Sequence, residues 1–115
     1  IGISQAGPIQ IELIQPLSEQ NAYRDLVPEG MGQTFHHLGS WTNDFEAELK
    51  FFERAGYPVI NAGESRSVSF AYIDTRPLLG CVLEIVTKTA ATQERFDVIA
   101  QTANSWQGDE PLRYS

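Results

Sequence analysis

Residues 35–44, FHHLGSWTND, constrain the fold of this 115-residue chain more than any other segment. The segment begins with the alternation of a β-strand, in which successive side chains point to opposite faces. Asn43 is a suitable N-cap, and Glu46 three residues later completes a capping box, so a helix is predicted to follow at once over residues 44–55. Apolar residues inside that range follow the i, i+4, i+7 spacing of a buried stripe. The order is strand, then helix.

Further strands are predicted on both sides of this helix. Residues 9–14 alternate between apolar residues and the polar pair Gln10 and Glu12, and residues 1–6 are expected to form the preceding strand of a hairpin. The segments after the helix are strands at 57–61, 67–74 and 80–87 and a last helix at 90–105, with loops at 63–65 and 75–77. Residues 34–87 therefore have the order strand, helix, strand, strand, strand, which indicates the α+β class.

Composition excludes several classes of function. The net charge is -7 and the sequence pI is about 4.6, with only eight scattered Lys and Arg residues, so neither nucleic acid nor a membrane surface is an expected partner. No apolar run approaches the roughly 18 residues of a membrane span, and no signal peptide is visible. The single cysteine, Cys81, lies in an apolar run and is predicted to be buried. We expect a cytoplasmic protein, because one cysteine cannot form an intrachain disulfide.

Two carboxylates in apolar strands are the first candidates for chemistry. Glu84 lies within CVLEIV and Glu12 within IQIELI, so the two acids have similar surroundings and form a weak internal repeat. A carboxylate in the middle of a buried strand costs several kcal/mol unless it is paired or binds a cation. Each of these acids therefore requires a partner.

The paired histidine supplies a third candidate ligand. Strand alternation places His37 on the same face as Trp41 and His36 on the opposite face, so His37 is the candidate and His36 is expected to be structural. Two carboxylates and one imidazole suit a divalent ion such as Zn, Mn, Fe, Co or Ni, with positions left open for water or substrate. The residues alone also allow a glutamate on an edge strand, a glutamate paired with Arg76, and a histidine hydrogen-bonded in the core.

Four segments carry a resemblance to a known family: GPIQIELIQP at 7–16, MGQTFHHLGSWTND at 31–44, the turn at 55–57, and FAYIDTRPLLGCVLEIV at 70–86. They resemble the vicinal-oxygen-chelate superfamily of glyoxalases, bleomycin resistance proteins and extradiol dioxygenases. The chain is most similar to the glyoxalase-like members, which include methylmalonyl-CoA epimerase. The tail at 106–113 is similar to the ends of uncharacterised members.

The resemblance implies an α+β fold of paired βαβββ modules, whose curled mixed sheets form a cup around one metal ion. The expected domains are the end of a first module at 1–17, a connector at 18–33, a second module at 34–88, and a C-terminal helix and tail at 89–115. The first module's opening strand and helix have no counterpart before Ile1. We therefore expect upstream residues or a partner chain to complete it.

The resemblance also implies a metal site and an activity. By position, His37 matches the first-strand ligand of the second module, Glu84 its last-strand ligand, and Glu12 the last-strand ligand of the first module. The implied enzyme is a metal-dependent isomerase, epimerase or lyase that forms an enediolate, with Glu84 or Glu12 moving the proton. The alternatives are an Fe(II) extradiol dioxygenase and a binding module without catalysis.

The implied partners are a small-molecule substrate and a second copy of the chain in a homodimer. The substrate would be a small carbonyl compound or an acyl thioester. An acyl-CoA would need cations for its phosphates, and the available ones are Arg24, Arg66, Arg76 and Lys88.

Overall fold

The structure is a computed structural model that describes residues 1–19, 21–27, 30, 32–65 and 68–114. These residues form two compact units, a smaller one made of Ile1–Gln15 with Ala90–Ser115 and a larger one made of Pro16–Thr89. Every helix among the described residues is too short or too polar to cross a membrane. Each unit is described separately below.

The elements follow in chain order. They are β1 (Gly2–Ala6), β2 (Ile9–Leu13), β3 (His37–Thr42), α1 (Phe45–Arg54), β4 (Val59–Ser65), β5 (Val68–Ile73), α2 (Arg76–Leu79), β6 (Val82–Thr87) and α3 (Ala90–Asn104). In the larger unit this is strand, helix, strand, strand, strand, with a one-turn helix inserted before the last strand.

The smaller unit contains the predicted hairpin and the predicted last helix. Strands β1 and β2 are antiparallel, with Ile3 opposite Glu12, and Gly7 at φ 57° makes the turn between them. Helix α3 packs against β1. The apolar side chains of β2, which alternation assigns to a buried face, are exposed instead, for example 66% at Ile9 and 71% at Leu13. The predicted strand is confirmed, but the burial that such alternation is typical of is not found, because alternation identifies a face but not whether a second layer covers it.

The larger unit has one four-stranded mixed sheet in the order β3-β6-β5-β4. Strand β3 runs parallel to β6, and the other two pairs are antiparallel. The parallel pair is possible because α1 and the strands after it carry the chain back before β6 begins. The α+β class with a mixed sheet is thus confirmed, and β6 is a central strand.

Helix α1 covers one face of this sheet. The fully buried residues Ala71, Ile73 and Ile85 form the core, and Phe45 and Phe52 of the helix pack against it. Since alternate strand residues point to opposite faces, the residues between these core positions point away from the helix. We call the sheet face opposite α1 the site face.

Several boundaries differ from the predictions. Asp44, not Asn43, caps α1, because its carboxylate accepts a hydrogen bond from the Ala47 amide at 3.0 Å. The predicted loop at 63–65 is the end of β4, and the predicted loop at 75–77 contains the start of α2. Local turn signals were overridden in both places, by strand pairing in β4 and by a proline in the first turn of α2. The predicted start of the next strand at residue 67 lies outside the described residues.

Candidate metal centre

His37 and Glu84 come together on the site face. Strand register places Gly39 of β3 opposite Glu84 of β6, and His37 lies on the same face two residues before Gly39. The distance from His37 Nε2 to Glu84 Oε2 is 3.5 Å, and the exposed fractions of the two side chains are 10% and 18%. A Cβ atom at position 39 would lie 3.7 Å from Glu84 Oε2, so glycine leaves this side of the carboxylate open.

Two of the alternatives for Glu84 are wrong. It does not lie on an edge strand, because β6 is flanked by β3 and β5. Arg76 is paired with Asp74, donating from Nε and Nη2 to the two carboxylate oxygens at 2.6 Å each. This side-chain contact holds the pKa of Asp74 below its ordinary value.

His36 does not point to the opposite face as alternation predicts. Its Nδ1 lies 3.0 Å from Nδ1 of His37, and its ring centroid is 5.8 Å from that of Tyr72. The reason is that β3 begins at His37, so His36 precedes the regular strand and alternation does not apply to it. Burial lowers the pKa of His36 below its ordinary value of 6.5, while the Ala22 carbonyl acts in the opposite direction.

Two tyrosines that the sequence did not single out surround the histidine pair. Tyr72 is buried, lies opposite Glu84 in the sheet, and has its ring centroid 5.1 Å from that of His37. Tyr23 has its ring centroid 5.0 Å from that of His36, and its hydroxyl lies 3.0 Å from that of Tyr72. Alternation along 68–73 could have identified Tyr72, whereas Tyr23 lies in a connector whose sequence has no periodicity.

The third predicted ligand, Glu12, belongs to the smaller unit. It lies near the end of β2, opposite Ile3, and is exposed. Glu84 has the corresponding position in the larger unit, since it lies on the second strand of the antiparallel pair β5–β6. Both acids therefore stand on the later strand of an antiparallel pair.

The cations considered for an acyl-CoA have different surroundings. Arg24 donates a hydrogen bond to the Pro16 carbonyl at 3.1 Å, and Arg76 is held by Asp74. Lys88 is exposed, and Arg66 lies outside the described residues.

The donor set of His37 and Glu84 fits a divalent metal ion. Ligand distances of about 2.0–2.2 Å and tetrahedral geometry place two ligand atoms about 3.4 Å apart. The observed 3.5 Å between Nε2 and Oε2 is close to that separation. An imidazole nitrogen and a carboxylate oxygen are also ordinary ligands of Zn, Mn, Fe, Co and Ni. The two side chains are therefore spaced as two ligands of one tetrahedral ion would be.

Comparison with known proteins identifies the family. A family model described as the Glyoxalase/Bleomycin resistance protein/Dioxygenase superfamily matches residues 1–72, a segment that includes Glu12 and His37. The chain has no significant match among curated proteins. The matched segment is 72 of the 115 residues, and the fold of the larger unit agrees with the expected module. The chain belongs to the glyoxalase/bleomycin resistance protein/dioxygenase superfamily.

Proposed function

We propose that this protein is a metal-dependent isomerase, epimerase or lyase of the glyoxalase type. The observation that carries the proposal is the pair His37 and Glu84, whose ligand atoms lie 3.5 Å apart on the face of the sheet that α1 does not cover. A glutamate and a histidine that are less than one-fifth exposed have lost most of their hydration, which a metal ion would replace.

The proposed ligands are His37 and Glu84 from the larger unit and Glu12 from the smaller one. Glu12 is included because its strand resembles that of Glu84 in sequence and because both acids lie on the later strand of an antiparallel pair. A bound divalent ion such as Zn, Mn, Fe, Co or Ni would supply Lewis acidity, which stabilises negative charge on neighbouring substrate oxygens.

The chain's own groups would perform the proton transfer. A carboxylate of Glu84 or Glu12 that is not bound to the ion would accept a proton from the carbon next to a carbonyl. The same carboxylic acid would return the proton to a neighbouring atom in an isomerase, whereas in an epimerase a second acid would supply a proton to the other face of the carbon. His37 is held beside Tyr72, whose buried ring limits access of water to one side of the imidazole. Gly39 leaves room next to the Glu84 carboxylate for an approaching group.

The proposed substrate is a small carbonyl compound or an acyl thioester, and the proposed assembly is a homodimer in the cytoplasm. The bleomycin resistance proteins and dioxygenases that share the family description make ligand binding and oxygen chemistry the two competing functions. Each competing function predicts a different result in the experiment below.

Exchange of a substrate hydrogen with solvent tests the proposed reaction. The protein, loaded separately with Zn, Mn, Co or Ni, is incubated in deuterated water with a 2-oxoaldehyde plus glutathione or with a 2-methyl-branched acyl-CoA. We expect deuterium at the carbon beside the carbonyl, and a loss of about 10²-fold or more in Glu84→Gln. Glu46→Gln, at an exposed position of α1, is the matched control and retains the activity.

Two other results would contradict the proposal. Oxygen consumption by iron-loaded protein with a catechol, without any hydrogen exchange, would assign a dioxygenase. Tight binding of a small molecule by metal-free protein, again without exchange, would assign a binding module.

A further inference from the structure

We propose that His36 is a positioning residue for the candidate metal centre: its Nδ1 accepts a hydrogen bond from Nδ1 of His37 and leaves Nε2 of His37 unprotonated and directed at the metal position. The expected effect of His36 on metal affinity rests on the proposed function. The hydrogen bond itself rests on the 3.0 Å distance between the two Nδ1 atoms.

The two nitrogens can share only one proton, and its position decides whether His37 can be a ligand. If His37 carries the proton on Nδ1, the lone pair on Nε2 is available to an ion beside Glu84. If His36 carries it, neutral His37 has its own proton on Nε2 and cannot bind an ion there. An acceptor at position 36 therefore selects the ligating form of His37.

The positions of the ring nitrogens favour the acceptor role for His36. Nε2 of His37 lies 3.5 Å from Glu84 Oε2, and Nδ1 of His37 lies 3.0 Å from Nδ1 of His36. An ion beside Glu84 would therefore use Nε2 of His37 and leave the proton of that ring on Nδ1, so Nδ1 of His36 is the acceptor and its own proton is on Nε2. A neutral imidazole protonated at Nε2 has its acceptor at Nδ1, where His37 lies.

Packing fixes the direction of this acceptor. The His36 ring packs against both Tyr23 and Tyr72, with centroid distances of 5.0 and 5.8 Å, and it is nearly perpendicular to the His37 ring at 85°. The hydroxyls of Tyr23, in the connector, and Tyr72, in β5, lie 3.0 Å apart, so a hydrogen bond joins the connector to the sheet. The ring is therefore held in one orientation before any ion binds.

Two variants separate positioning from packing. His36→Phe keeps a ring packed against the two tyrosines and removes the acceptor, whereas His36→Asn keeps an acceptor, Oδ1, near the former Nδ1. Zinc affinity is measured by competition with a chromophoric chelator. We expect His36→Phe to weaken zinc binding by about 10- to 100-fold, and His36→Asn to stay within about 3-fold of wild type. Wild-type affinity in His36→Phe, or equal losses in both variants, would overturn the proposal.

A second readout does not depend on the metal. Long-range proton–nitrogen NMR correlations of the metal-free wild type identify which nitrogen of each histidine is protonated. We expect His37 protonated on Nδ1 and His36 on Nε2, and the reverse assignment would overturn the inference. If wild type shows the expected tautomers but binds no divalent ion, the proposed function fails while the hydrogen bond stands.

Discussion

Glu84→Gln distinguishes a metal ligand from a structural ion pair, because the two roles predict opposite effects on the metal-free protein. Glu84 Oε2 lies 3.5 Å from His37 Nε2, and both side chains are mostly buried. In the ligating form of His37 a lone pair on Nε2 faces the Glu84 carboxylate. Without a metal ion, that nitrogen therefore donates no hydrogen bond to the carboxylate. A glutamine at position 84 could donate a hydrogen bond to that nitrogen and would bury no charge.

The expected magnitudes follow from these contacts. Without metal, Glu84→Gln should change the free energy of unfolding by no more than about 1 kcal/mol, with stabilisation the expected direction. Removing one partner of a structural buried ion pair would instead cost about 3–5 kcal/mol. With zinc at about 1,000 times its Kd, wild type should gain about 4 kcal/mol, and Glu84→Gln should gain little of it.

Urea unfolding in chelator and in excess zinc measures both quantities. The two tryptophans lie in different units, so a Trp106→Phe background makes Trp41 the reporter of the larger unit. With a urea m-value of about 2 kcal/mol/M, the zinc effect on wild type is a midpoint shift of about 2 M. Glu64→Gln, an exposed change of the same charge in β4, is the control and should keep that shift. A loss of 3 kcal/mol or more by Glu84→Gln in chelator would refute the reasoning.

Two further predictions concern the frame of the site. Asp44→Ala should cost about 1 kcal/mol of unfolding free energy and Asn43→Ala less than about 0.5, because Asp44 caps α1; the reverse order in urea unfolding would restore the predicted cap. Arg76 lowers the pKa of Asp74 in the folded state. The contribution of this ion pair to the free energy of unfolding is therefore complete above the ordinary pKa of 3.8, and it is lost as the pH falls through the lower pKa of the folded state. The partly exposed pair is worth less than about 1 kcal/mol, so Asp74→Asn should be slightly less stable than wild type near neutral pH and equal to it at low pH. A stability difference that does not change with pH would contradict this.

Apart from α2, the element order was predictable because local patterns determined it. The helix stripe in α1 and the alternation in β2 identify the elements from neighbouring residues alone. The exact ends of the elements could not be predicted, because competing capping signals lie one residue apart. Asn43 and Asp44 are both good caps, and backbone geometry after Thr42, whose hydroxyl accepts from the Asp44 amide, selects Asp44.

The sequence singled out His37 and Glu84, which the structure brings within 3.5 Å of each other, but it did not single out the residues around them. A mid-strand acid such as Glu84 stands out because burial without a partner is costly. The packing of Tyr23 against His36 depends on how the connector folds onto the sheet, which no local period encodes. The position of His36 depended on one boundary residue, since a strand that began one residue earlier would have turned its ring to the other face.

Metal content is the most direct test of the central claim that His37 and Glu84 hold a divalent ion. Protein expressed with ample Zn, Mn, Fe, Co and Ni is purified without chelator, and its metals are counted by elemental analysis beside His37→Ala and Glu84→Gln. The account predicts about one divalent ion per chain in wild type and nearly none in either variant. Wild-type protein that carries no ion under these conditions, or variants that retain it, would contradict the account.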